Sequence, residues 1–279
     1  MLDLSPGRFL DARGAVLPIG KRPLIMGVVN VTPDSFFEES RHPQASEAVA
    51  TALRLAGEGA DIVDIGGEST RPGHVPVDAE EELARVLPVV SEVSRRVAAP
   101  VSIDTSKAKV AEQALAAGAR IVNDVWGLAR DPAMAATVAA HDAAVVIMHN
   151  REKADPALDI VDEIEGFFAK ALERATAAGI RRDRIVLDPG IGFGKTFEQN
   201  LAILARIDEI VAWGFPVLLG VSRKSFIGRL VPGGPGERLP ATIAANVIAA
   251  LAGVAILRVH DVAVHVQALK IAEAIRGAA

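Results

Sequence analysis

Hydrogen-bonding and charged residues recur in this chain directly after short apolar runs. Asn30 closes LIMGVVN, Asp104 closes PVSID, Asn123 and Asp124 close RIVND, and Asp188 closes RIVLD. Cations follow two further runs, in Ser222-Arg223-Lys224-Ser225 and in Arg258-Val259-His260-Asp261. Asp, Asn and Ser after a strand commonly cap the next helix, and that use is enough for Ser35, Asp124 and Asp261. It does not account for Asn30, Asp104 and Asp188, which hold the last strand position. Nor does it account for Lys224, Arg258 and His260, because cations are unfavourable at a helix N-terminus. Three rim cations beside several carboxylates suit a site for an anion together with a polar ring.

Those residues need elements that gather them. Eight apolar, β-branched runs cover 24–30, 61–66, 100–104, 120–124, 143–149, 184–188, 216–222 and 255–260. They start about 33 residues apart on average, close to the ~30 that one strand and its crossover helix need. They are continuous rather than alternating, the pattern of parallel strands covered on both faces. Helical periodicity fills the gaps at 46–58, opened by Ser46, at 106–117, ended by Gly118, at 160–178, ended by Gly179, and at 197–211, 241–252 and 261–276. The small and apolar residues of 241–252 predict burial on more than one side. Eight β–α units predict an α/β fold, a single (β/α)8 TIM barrel domain over 1–279. A short hairpin at 8–19, inside an N-terminal extension of residues 1–22, precedes it. In such a barrel the carboxyl ends of the strands form the active-site rim. An open doubly wound sheet is the rival, but no glycine fingerprint follows the first run.

Composition narrows the function classes. Half of the 279 residues are hydrophobic, 23% are charged and the net charge is −5, which argues against a broad basic face for nucleic acid. There is no cysteine, which excludes disulfides, thiolate catalysis and Cys-ligated metals. The longest apolar stretch, Ile243 to Leu257, has 15 residues, short of the roughly 20 that span a bilayer. The first residues hold acids and a Pro-Gly rather than an apolar targeting core, so no membrane association is expected and the expected setting is the cytoplasm. Gly194-Lys195-Thr196 resembles the end of a phosphate-binding loop, but that motif requires Gly where Pro189 stands. Gly190, Gly192 and Gly194 suggest backbone passing close to a ligand, or a tight strand–helix loop, with Phe193 covering a ring face. His149 reads as a satisfied rim histidine, and Trp126 and Trp213 as packing residues.

Seven segments, in order and each at a strand end, resemble the dihydropteroate synthases of the folate pathway. They are NVTPDSF (30–36), GADIVDIGGESTRPG (59–73), SIDTSK (102–107), IVNDVWG (121–127), LDPGIGFGKT (187–196), SRKSFIG (222–228) and RVHDV (258–262). The resemblance implies the barrel fold and a transferase that joins 6-hydroxymethyl-7,8-dihydropterin diphosphate to p-aminobenzoate, with Mg²⁺ as cofactor and pyrophosphate as leaving group. It implies that Asp104, Asn123, Asp188 and Lys224 bind the pterin ring. Asn30, Arg258 and His260 would hold the pyrophosphate, with Asn30 also near the metal and Val259 counted with its neighbours as substrate-binding. Thr70, Arg71 and Ser225 would lie by the p-aminobenzoate. A homodimer and inhibition by sulfonamides are further implications.

These roles agree with elementary chemistry. A pterin presents an amino-pyrimidinone edge, a carboxylate can accept two N–H bonds from it, and Asn can both donate and accept. Loss of pyrophosphate needs positive charge where negative charge develops, and Arg258 suits a bidentate grip. An aryl amine is a weak nucleophile, so departure ahead of attack is expected, with Asp104 facing the pterin-CH₂ cation. Asp104, Lys224, Arg258 and His260 are therefore the expected catalytic set.

The chain departs from the family pattern at Phe37-Glu38-Glu39-Ser40-Arg41, where the family has a short Asp-Gly-Gly segment, and at Asn150, where a second Met is common. Two rival readings are a methyltetrahydrofolate-dependent methyltransferase of the same barrel type and a pterin-binding paralogue without turnover. A methyl donor lacking a diphosphate would leave Lys224, Arg258 and His260 without a partner.

Overall fold

The computed structural model describes residues 9–20, 22–31, 41–69, 76–234 and 236–278, with the backbone alone for 41–43. Ser35, Phe37–Ser40, Thr70 and Arg71 fall outside the described residues.

The eight apolar runs all become strands: β3 Leu24–Asn30, β4 Ile62–Gly66, β5 Val101–Asp104, β6 Ile121–Asp124, β7 Ala144–Met148, β8 Ile185–Asp188, β9 Leu218–Leu219 and β10 Ile256–Val259. They pair in parallel in the order β8-β7-β6-β5-β4-β3-β10-β9. A parallel bridge between Leu187 and Val217 joins the two ends of that order, so the sheet closes into a barrel.

Alternate residues divide into two cores, as the period of 2 requires. Ile25, Val63, Ile103, Val122, Ile147, Leu187 and Val259 pack outward against helices. Leu24, Met26, Ile62, Ile121, Ala144, Val146, Val186, Leu218 and Ile256 fill the interior. The N-terminal hairpin closes the floor of that interior. Its strands, β1 Phe9–Ala12 and β2 Ala15–Pro18, pair antiparallel. Arg13 at φ 49° and Gly14 at φ 82° make the turn, with two positive φ angles as a tight hairpin demands. Leu10 and Ala12 are wholly buried in the inner cluster. Arg184 then holds Asp11, donating from Nε and Nη2 at 3.2 and 3.1 Å.

The helices follow in the gaps: α1 Arg41–Gly57, α2 Ala79–Arg96, α3 Ala108–Ala116, α4 Met134–Ala140, α5 Ile160–Ala177, α6 Phe197–Ala205, α7 Ile207–Ala212, α8 Ser225–Leu230, α9 Leu239–Leu251 and α10 Val262–Gly277. Gly118 and Gly179 take φ of 117° and 88° just past α3 and α5, the left-handed termination that glycine allows. Three expectations need correction. Ser46 does not open a helix, because α1 begins at Arg41. The helix over 197–211 divides at Arg206, whose ψ of 24° ends α6 before α7 starts. And α9 is not buried on several sides: Ile248 and Leu251 are exposed, as are Ile271 and Ile275 on the neighbouring α10.

Candidate active site

Above the apolar floor, the inward positions turn polar. β4 contributes Asp64, β5 contributes Ser102 and Asp104, β6 contributes Asn123, β8 contributes Asp188 and β10 contributes Arg258, and the first five are all buried. Arg258 ties them together. Its Nε donates to Asp64 Oδ2 and its Nη2 to Asp104 Oδ2, both at 2.6 Å. Asn123 Nδ2 donates to the same Asp64 oxygen at 3.3 Å. Asp188 Oδ1 accepts from the Gly190 N–H at 2.7 Å. Lys224, in the turn after β9, donates to the Ile191 carbonyl and lies 4.5 Å above the Phe193 ring centroid.

Acceptors outnumber donors here. Asp64 Oδ1, Asp104 Oδ1, Asn123 Oδ1 and Ser102 Oγ are buried with no hydrogen-bond partner among the described residues. Unsatisfied buried acceptors cost free energy, and a flat ligand bearing several N–H groups removes that cost. The charge balance points the same way. Burial pushes the Asp104 and Asp188 carboxyls up from their ordinary value, although Arg258 pulls Asp104 back and Lys224 pulls Asp188 back. Burial pushes the Lys224 ammonium down to about 8, against the pull of Asp188 and with Arg258 adding repulsion. The guanidinium keeps its proton despite burial because Asp64 and Asp104 face it.

The remaining expected residues spread from this cup to its rim. Asn30 is exposed at the end of β3, in register with Gly66. His260 Nδ1 meets Ser222 Oγ at 2.9 Å. Ser225, exposed, begins α8. Val259 is the exception: it is odd in a strand whose even residues face inward, and it packs in the outer core.

The chain's relatives fit this geometry. The family model described as pterin binding enzyme matches residues 26–260. The dihydropteroate synthase of Bacillus subtilis strain 168 is 40% identical over 253 residues, covering 91% of this chain and 88% of that protein. A crystal structure of dihydropteroate synthase from Clostridium difficile, in the presence of pteroic acid, is 48% identical with a TM-score of 0.89, covering 92% of this chain and 98% of that one. The Xanthomonas albilineans enzyme with 4-aminobenzoic acid is 43% identical with a TM-score of 0.91, covering 98% of this chain and 99% of that one.

The chain belongs to the dihydropteroate synthase family.

Several residues of its family-like segments hold the rim rather than face the cup. Lys107 of SIDTSK donates to Glu68 of GGES and, at 2.5 Å, to the buried Glu82 of α2. Lys195 donates to three carbonyls, of Gly190 at 2.8 Å, Phe193 at 3.0 Å and His149 at 3.3 Å, so it staples the loop after β8. Gly190 and Gly194 meet backbone, since a Cβ there would lie 1.9 Å from the His149 oxygen and 2.2 Å from the Arg151 oxygen. Gly192 instead faces the Lys224 side chain. Trp213 packs edge-on against Phe168, while Trp126 stacks with Arg130.

Three further placements differ from expectation. His149 is fully buried and neither ring nitrogen has a hydrogen-bond partner among the described residues. It sits edge-on to Phe167, and burial, with Lys195 and Arg151 nearby, drives its pKa down to about 2. Asp124 caps the turn after β6, accepting from the N–H groups of Trp126 and Leu128 at 2.9 and 2.7 Å, and no helix starts there. Asp261 precedes α10 without a side-chain cap bond and binds Arg223 instead. The residue that sequence reasoning missed is Asp64. Its signal was present: an acid in the middle of an otherwise apolar strand, an even number of positions from Ile62 and Gly66.

Proposed function

We propose that this transferase condenses 6-hydroxymethyl-7,8-dihydropterin diphosphate with p-aminobenzoate, giving 7,8-dihydropteroate and pyrophosphate. Family membership supports the reaction, and one observation of this chain supports the binding mode: a closed-floor cup in which Asp64, Asp104, Asn123 and Ser102 present unpaired buried acceptors beside Arg258 and Lys224. In this reading Asp188 accepts from the amino-pyrimidinone edge while Asn123 and Asp104 take the neighbouring ring nitrogens. Lys224 meets the ring's acceptor side. Phe193 lies beneath the Lys224 ammonium at the mouth. The family resemblance assigns Ser225, Thr70 and Arg71 to the p-aminobenzoate, and of these Ser225 is exposed at the start of α8.

The C–O bond to the diphosphate breaks with its electron pair leaving on pyrophosphate. The amine lone pair then forms the C–N bond and a proton leaves the nitrogen. Asp104 faces the cation that forms in between, and its Arg258 partner and His260 face the departing anion. Asn30, exposed at the strand end, can offer one oxygen to a cation. Among the described residues no three His, Cys, Asp or Glu groups converge as a metal site. Mg²⁺ would be held by Asn30 together with oxygens of the substrate's diphosphate, the usual habit of that ion. When bound there, the ion neutralises leaving-group charge.

Pyrophosphate release on mixing both substrates with Mg²⁺ tests the reading. Release that requires p-aminobenzoate supports it. Binding of the pterin diphosphate without release would favour a non-catalytic paralogue, and methyl transfer from methyltetrahydrofolate would favour the methyltransferase. Positional isotope exchange in the pterin diphosphate without p-aminobenzoate tests the dissociative path, since absence of scrambling counts against a free cation. Sulfonamides, as p-aminobenzoate mimics, should compete with it. The exposed Ile248, Leu251, Ile271 and Ile275 support a homodimer through α9 and α10. No helix of the described residues is long and apolar enough to cross a membrane. The cytoplasm is the compartment proposed for the reaction.

A further inference from the structure

We propose that Arg223, clasped by Asp261, is a positioning residue that sets the pose of Lys224 over the pterin pocket. The proposal rests on the assignment of Lys224 to that pocket. Arg223 adopts φ 60°, a left-handed conformation that a residue with a Cβ holds only under constraint. The constraints come from two helices and their flanks. Asp261, just before α10, accepts from Arg223 Nε at 3.1 Å and Nη2 at 2.6 Å, a two-pronged grip with fixed direction. The Arg223 N–H points to Oγ1 of the wholly buried Thr242 in α9 at 3.4 Å. The Arg223 carbonyl accepts from Arg238 Nη1 at 3.1 Å. Arg238 can lie there because Gly228 of α8 has no side chain: a Cβ would stand 2.6 Å from Arg238 Nη2.

Asp261 is itself braced from behind. Its carbonyl can only accept, so His265 Nδ1 donates to it at 2.6 Å. Nε2 then accepts from Asn246 Nδ2 of α9 at 3.0 Å. A continuous line of bonds therefore runs from the α9–α10 interior through Asp261 to Arg223. The next residue along the chain is Lys224, whose own N–H closes a turn on Val221 at 3.2 Å. Its ammonium is aimed at the Ile191 carbonyl and Phe193, among Asp188, Asp104 and Arg258. Releasing the clasp frees the turn from its anchor before α10, so that Lys224 no longer keeps one pose and its ammonium swings toward water.

The test uses the full-length enzyme and three variants: Arg223→Gly, Asp261→Ala and the two combined. Glycine accepts φ 60° without strain, so Arg223→Gly removes the clasp and spares the backbone turn. Expected are a rise of about tenfold in KM for the pterin diphosphate, kcat within about twofold, and an alkaline limb of kcat/KM that moves up from about 8 toward an ordinary lysine value. The double variant should be no worse than either single one, the mark of groups that act as a pair. Unchanged KM and an unmoved alkaline limb in folded variants overturn the proposal, as do additive effects or a parallel loss of kcat and melting temperature with the limb in place. An inactive wild-type enzyme would instead overturn the functional reading, so the two failures are distinguishable.

Discussion

At the residue scale, the cup works by charge held where water is scarce. Removing one partner of a buried, hydrogen-bonded set leaves the others uncompensated. Asp64→Ala should therefore destabilise the protein by on the order of 3 kcal/mol, read from urea unfolding. Arg258→Ala should slow turnover by about 10²–10³-fold if the guanidinium acts as an electrostatic clamp on the leaving group, while Asp188→Ala should abolish pterin binding in calorimetric titration. Near-normal turnover in both variants would show that the site is misassigned. The pH dependence follows from the same burial. Lys224 must stay protonated to donate, so kcat/KM should fall above about 8. Asp104 and Asp188 must stay ionised to accept, and burial has raised both. Activity should thus fall on acidification at a pH well above the ordinary carboxylate range. A profile flat across these ranges would contradict the roles given to all three.

At the element scale, the loop after β8 leads from Asp188 at the strand end to Ile191 and Phe193 through one tight passage. Gly190→Ala places a Cβ 1.9 Å from the His149 oxygen at a φ of 68°. The backbone strain alone is worth about 1–3 kcal/mol, and the clash moves the loop, so pterin affinity should collapse along with the melting temperature. Gly14→Ala is the contrast, since a Cβ there meets nothing within 4 Å; it should cost stability modestly and leave affinity alone. The strands were legible because both of their faces are buried, which writes each as an unbroken β-branched run. α2 was harder to read, since Pro88 sits inside it. Ser46 resembles a cap, but α1 already runs from Arg41; Asp261 does hold the N-cap position of α10, yet its carboxylate binds Arg223 rather than capping. Among site residues, those at strand ends announced themselves by type and position. Asp64 did not, because a carboxylate two residues deeper is legible only once the alternation of inward and outward positions is known. Val259 follows the same rule in reverse: it is one residue on from the inward-facing Arg258, so its side chain packs in the outer core.

At the scale of the whole molecule, the helix pair α9 and α10 faces both ways. Its inner side braces Asp261 and the Lys224 turn, and its outer side exposes Ile248, Leu251, Ile271 and Ile275. Large apolar side chains exposed together on two neighbouring helices suit an interaction surface. Replacing Ile271 and Ile275 together with glutamate should convert a dimer to monomers in light scattering. A wild-type chain that is already monomeric at micromolar concentration would refute the homodimer.

The hairpin at the barrel floor has a kinetic consequence. With Leu10 and Ala12 plugging the far end, the heterocycle and the aniline both enter from the carboxyl ends of the strands, the deeper guest going in first. Initial-rate studies should accordingly show compulsory order, with the amine adding second and any molecule lodged near the opening trapping whatever already sits below it.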